Sequence, residues 1–214
     1  MKKMKQRAWM GAAAVVLLAG CAAMERGPDV AMVLKESFRE RGIAKLDRLD
    51  QTPLQKHCSE AAAAGRDLDP AVRQSLERDA LARVRYPADG KYLGDWKEGE
   101  RIAQSGRGLQ FNDSAETVAG GNCYACHQLT KTEISYGNIG PSLYQYGKLR
   151  GVQDPADPAS AEIVKYTWAK IWNSHAYNAC SQMPRFGDAG ILNEQQLRHV
   201  MALLLDPKSP VNAQ

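Results

Sequence analysis

Apolar positions in this chain recur at three- and four-residue spacing, in short stretches separated by Gly, Pro and charged clusters. No stretch alternates apolar with polar long enough to make a strand, and no internal repeat is present, so the pattern predicts an all-α fold. Val30, Val33, Leu34 and Phe38 open a predicted helix in the span Asp29–Asp50. Asp69-Pro70 reads as an N-cap with proline at the first helical position, followed by the stripe Val72, Leu76, Ala80, Val84 up to Pro87. Asp95-Trp96-Lys97-Glu98 resembles a capping box opening a helix to about Gln104, stopped by Ser105-Gly106. A short helix is expected over 120–127. Residues 128–156, rich in Gly and Pro, read as a loop. Asp157-Pro158 starts a helix that Ile163, Tyr166, Trp168 and Trp172 carry to about Asn173. Asn193 caps a last helix with Leu197, Val200, Met201 and Leu204 on one face, ended by Asp206-Pro207.

The first residues break this pattern. Lys2, Lys3, Lys5 and Arg7 precede an apolar run from Ala8 to Gly20, too short for a spanning helix, as in a bacterial export signal. The run ends Leu18-Ala19-Gly20-Cys21, a lipobox-like sequence that makes Cys21 the expected lipidated N-terminus. Ordinary cleavage a residue or two later is the alternative. Three domains are expected: 1–20 a lipoprotein-type signal, 21–92 a helical N-terminal extension, 93–214 the domain that carries the chemistry. The expected localisation is periplasmic, anchored to a membrane by lipid. The whole chain has 28 basic and 24 acidic residues, a net charge of +4. All four excess positive charges lie in the leader, so the mature chain is formally neutral and nothing in its charge points to nucleic acid.

The chemistry-bearing motif is Cys123-Tyr124-Ala125-Cys126-His127. Two thiols three residues apart on one side of a turn can add across the vinyl groups of a haem, and the next imidazole lies under the iron. The motif therefore predicts one covalently bound haem c, held by Cys123 and Cys126 with His127 as proximal ligand. A zinc site or a redox dithiol is the competing reading. Zinc needs four ligands, three of which this pentapeptide is too cramped to supply, and no βαβ pattern surrounds the motif.

Of five cysteines, Cys21, Cys123 and Cys126 are then spoken for. Cys58 and Cys180 remain as an even pair in an oxidising compartment, which predicts a Cys58–Cys180 disulfide; two separate buried thiols are the alternative. Downstream of His127, the distal candidates are His175, Met183, His199 and Met201. Met201 falls on the apolar stripe and reads as core, and His199 falls off it and reads as solvent-facing. His175 ends a predicted helix, as a ligand or a polar cap. Met183 precedes Pro184 in a helix-free loop, which extends its backbone and suits a thioether presented across a haem face. Met183 is the expected sixth ligand, and His/Met ligation suits an electron acceptor. Arg185 is a candidate partner for a haem propionate, or faces solvent or a partner protein.

Four segments in order carry a resemblance: Gly121 to His127, Gly137-Asn138-Ile139-Gly140-Pro141-Ser142-Leu143, Met183-Pro184-Arg185-Phe186-Gly187, and Leu203 to Asn212. Residues 93–212 resemble the SoxX family, the monohaem c-type cytochrome subunits of the thiosulfate-oxidising Sox system. The resemblance implies a class I cytochrome c-like domain in which the Pro141 carbonyl accepts a hydrogen bond from His127, although Gly140-Pro141 also reads as a simple turn. It implies a SoxA-like partner bearing the catalytic cysteine, a SoxYZ-like carrier and a small acceptor cytochrome c. This chain would be the electron-transfer subunit of an L-cysteine S-thiosulfotransferase, with no catalytic residue of its own. A free-standing electron carrier serving another dehydrogenase or oxidase is the alternative. Tyr144-Gln145-Tyr146-Gly147 and the lipobox depart from the family pattern.

Overall fold

The structure, a computed structural model, describes residues 29–213 and divides at Arg39/Glu40 into two compact units. In the first unit, Asp29 accepts hydrogen bonds from the amides of Ala31 and Met32 and opens helix α1, Val30–Ser37. Val30, Met32 and Val33 stay exposed. The leader over 1–20 and the lipobox Cys21 lie outside the described residues.

The second unit begins where a longer first helix was expected. Gly42, at φ 54°, turns the chain instead, closed by a backbone pair between Arg41 and Ala44, and a 3-10 turn comes next over Leu46–Leu49. Helix α2 (Pro53–Ala63) starts in a reciprocal capping box between Thr52 and Gln55. Helix α3 (Pro70–Ala82) starts at the Asp69 cap with Pro70 in place, and ends one turn short of Pro87. Helix α4 (Trp96–Gln104) is capped by Asp95 on the Lys97 amide alone; Glu98 pairs with Arg101 rather than returning to the cap, so the N-cap is present but the box does not form. Within the stretch expected as loop, Gln145 at φ 54° admits a single turn, α5 (Tyr146–Leu149). A 3-10 turn at Pro158–Ser160 leads into α6 (Ala161–Trp172), and α7 (Glu194–Leu205) opens in a full capping box between Asn193 and Gln196. Among the described residues there is no strand, only the isolated bridge at Arg41.

Helix α7 is the centre of the core. Leu197, Val200, Met201 and Leu204 are buried as their spacing requires, and so are Ala202, Leu203 and Leu205. Burial reaches past the stripe because α4 crosses α7 closely: Gly99 faces the His199 carbonyl, and any Cβ there would overlap it. His199 is not free in solvent. Its Nδ1 accepts the Asp95 amide at 2.8 Å, satisfying a donor at the start of α4. Trp168, 1% exposed, packs edge-on against Tyr92 and stacks with Trp172.

Residues 40–92 belong to this same compact unit. The Trp168 indole donates to the Arg85 carbonyl at 2.8 Å, and the Asn173 amide to that of Ala80 at 3.3 Å. Cys58 and Cys180 are joined in a disulfide, with Cα atoms 5.6 Å apart. These bonds tie residues 40–92 to α6 and its C-cap, within the compact unit that begins at Glu40.

Candidate functional site

The Cys123–His127 segment is shaped by its anchors. Gly121 donates to the Ile102 carbonyl at 2.8 Å and Asn122 to that of Ser105 at 2.9 Å, strapping the approach to the end of α4. A Cβ at Gly120 would strike Ser105, so the approach requires glycine. Asn122 takes a left-handed conformation, φ 47°, and the chain then makes a 3-10 turn, Cys123–Ala125, rather than the short α-helix expected over 120–127. The Cys126 and His127 amides both return to the Cys123 carbonyl, at 3.1 and 2.9 Å, which puts both thiols on one turn.

A second strap, residues 137–143, lies on that turn through main-chain bonds. Gly137 donates to Tyr124, Gly140 to Cys126 and Leu143 to Gln128, at 2.7–2.8 Å. A Cβ at Gly137 would overlap the Ala125 carbonyl, and one at Gly140 the His127 ring. The two glycines let the strap close until Pro141 O lies 2.7 Å from His127 Nδ1. A carbonyl can only accept, so this contact puts the ring proton on Nδ1 and leaves the Nε2 lone pair for a ligand.

Met183 and Arg185 share one loop. The Met183 side chain is half-buried, packed on the core edge that Cys123, Leu143, Trp172 and Ile191 also border. Arg185 pairs with Asp188 at 3.3 Å, and the same carboxylate oxygen takes Arg83 at 2.8 Å. His175 is 5% exposed, and its Nε2 donates to the Ser181 carbonyl at 3.3 Å, tying the loop's start. Trp172, which the spacing reads only as helix core, carries an indole N–H that is buried without a protein partner.

These features fit a haem. Burial pushes the Cys123 thiol up to about 12, which opposes a thiolate but not a neutral thioether. The Nε2 of His127 suits an iron ligand. The buried Trp172 donor suits a carboxylate such as a propionate, and the half-buried apolar edge suits the macrocycle. Zinc fits poorly: no cluster of three or more His, Cys, Asp or Glu side chains placed to hold a metal ion occurs among the described residues.

A cytochrome c family profile matches residues 113–207, which include both straps and all of α7. An uncharacterized lipoprotein of Aquifex aeolicus (strain VF5) is 35% identical over 184 residues, covering 83% of this chain and 80% of that one. Residues 113–207 form a domain of the cytochrome c family. As a c-type cytochrome it is an electron-transfer protein, and its family carries covalently bound haem c. The all-α, class I cytochrome c-like fold read from the sequence agrees with the match and with the helices seen. The matched segment begins after α4, yet this cytochrome packs α4 against α7 as part of one core. Ser174 and Trp172 carried no sequence signal as site residues. Gly140 had one, in its step to Pro141.

Proposed function

We propose that this chain is a lipid-anchored, periplasmic monohaem cytochrome that serves as the electron-accepting subunit of a SoxAX-like complex. In this reading Cys123 and Cys126 hold the haem by thioethers, His127 is the proximal ligand and Met183 the distal one. Haem c bound there supplies a one-electron iron centre. Joining thiosulfate to a carrier cysteine through a new S–S bond releases one proton and two electrons. The catalytic cysteine belongs to a SoxA-like partner, and the two electrons pass through this subunit singly to a small acceptor cytochrome c.

What carries the reading is the convergence of the four resembling segments on one core. The strap over 137–143 lies on Cys123–His127, and Leu143 and Met183 border the core that also buries Phe186, Leu203, Leu204 and Val211. Asn212, the last residue of the fourth segment, accepts the amides of Gly147 and Lys148 and donates to the Leu204 and Asp206 carbonyls. Near the motif in sequence, Val118, Ile134 and Ile139 are 73%, 101% and 75% exposed, apolar side chains of the kind a partner protein covers. The lipobox at Cys21 and the lipoprotein name of the Aquifex relative support anchoring. Among the described residues no helix is long and apolar enough to cross a membrane.

The test is thiosulfate-dependent haem reduction by purified holoprotein with a SoxA-like chain and a SoxYZ-like carrier. Reduction only when both are present is the expected result. Reduction by an unrelated dehydrogenase alone, and none by the full Sox mixture, would move the assignment to a free-standing carrier.

A further inference from the structure

Ser174 is completely buried, at the end of α6 in the 3-10 turn Ser174–Ala176. A hydroxyl in that position costs stability unless it is hydrogen-bonded. Its Oγ donates to the carbonyl of Met183 at 2.5 Å, across nine residues of sequence. On the other side, the Met183 amide donates to Ser181 Oγ at 3.2 Å. Met183 is thus held by both of its peptide groups. Pro184 has no N–H, so the peptide group after Met183 can be anchored only through its carbonyl.

Ser174 is itself rigidly placed. Lys170 Nζ donates to its carbonyl at 2.9 Å, and neighbouring Asn173 is tied to the Ala80 carbonyl. The Met183 backbone is therefore tied through Ser174 to the end of α6 and, through Asn173, to α3.

We infer that Ser174 is a positioning residue that locks the Met183 backbone and so holds its thioether at the haem iron. The inference rests on the proposed distal role of Met183. A thioether is a weak ligand to ferric iron, so its hold depends on how much freedom the loop has to carry it away. Removing the lock lets an external ligand compete more easily.

The experiment is an imidazole titration of the ferric holoprotein, monitored by the long-wavelength charge-transfer band that marks thioether ligation. Met183→Ala tests the underlying reading: the band must vanish, and its survival would remove the distal assignment altogether. Ser174→Ala keeps the band, and imidazole displaces Met183 at roughly three- to tenfold lower concentration, the scale set by one hydrogen bond. Ser174→Thr, which restores a hydroxyl, moves the midpoint back toward the parent. Ile171→Val, a core change of similar global cost, leaves the midpoint alone. Should alanine prevent haem attachment, Ser174→Cys keeps the volume with a weaker donor and must still bind imidazole more tightly. If Met183→Ala loses the band while Ser174→Ala or Ser174→Cys titrates like the parent, Ser174 only fills space and the inference is overturned.

Discussion

The carbonyl of Pro141 accepts a hydrogen bond from His127 Nδ1 at 2.7 Å, and the glycine before it approaches the imidazole so closely that a Cβ there would overlap the ring. This bond raises the electron density that His127 can offer a metal and fixes which ring nitrogen offers it. Gly140→Ala places a methyl group where the ring now sits and lifts the strap. The expected result is a higher midpoint potential, because ferric haem loses more from a weaker donor than ferrous haem. Each tenfold loss of that preference is about 59 mV for one electron. Potentiometric titration checks it; an unchanged potential with full haem content would mean the strap yields without cost.

The Cys58–Cys180 disulfide closes a loop spanning 122 residues, and Cys180 lies three positions before Met183. The chain-entropy relation gives about 5 kcal/mol for a loop of this length, and native bridges commonly contribute about 2–5 kcal/mol. The double variant Cys58→Ser, Cys180→Ser should lose stability on that scale in urea unfolding of the holoprotein. A loss below about 1 kcal/mol would mean that the unfolded chain is already held compact by other means.

His175 gives a pH dependence with a definite sign. Burial, with Arg185 and then Lys170 and Arg83 nearby, holds its imidazole below the usual range, although the Ser181 carbonyl acts the other way. The unfolded chain takes up this proton near pH 6.5, and the folded chain only at lower pH. The stability due to His175 is therefore complete above about pH 6.5 and declines as pH falls through the window below it. Urea unfolding should show this slope between about pH 7.5 and 5.5, and His175→Gln should flatten it. Asp89 is shifted down chiefly by its hydrogen bond to Arg198, and Glu116 by that to Ser114, so both act at more acid pH.

Gly99 sets the crossing of α4 and α7. Alanine would favour an isolated helix by about 1 kcal/mol over glycine. Here its methyl group would meet the His199 carbonyl, a backbone atom that cannot rotate aside. Gly99→Ala should therefore destabilise, by about 1–3 kcal/mol in chemical denaturation, as overpacking does. A gain in stability would show that the two helices can separate freely.

Several local signals in the chain agree with the structure. Asp69-Pro70 and Asn193 with Gln196 start helices because a side-chain acceptor and a fixed φ act within one turn. Met201 proved to be core because helical spacing carries its own geometry. His199 was misread for the opposite reason: its partner is the Asp95 amide, 104 residues away, and periodicity knows nothing of it. At Glu98 the competing contact is local, a pairing with Arg101 on the same helix, while the Asp95 amide that a capping box would bind donates to His199.

The sequence by itself determined the motif suited to a covalent haem, two cysteines and a histidine on one turn, the export-signal pattern before it and the all-α periodicity. Those features depend on residue type and short spacing. Tertiary structure alone decided that residues 40–92 share one compact unit with the cytochrome domain, that 137–143 closes on His127, and that Met183 is held by Ser174. Each of these depends on hydrogen bonds and close approaches between residues that only packing brings together, and packing responds to volume and unpaired polar groups across the whole chain.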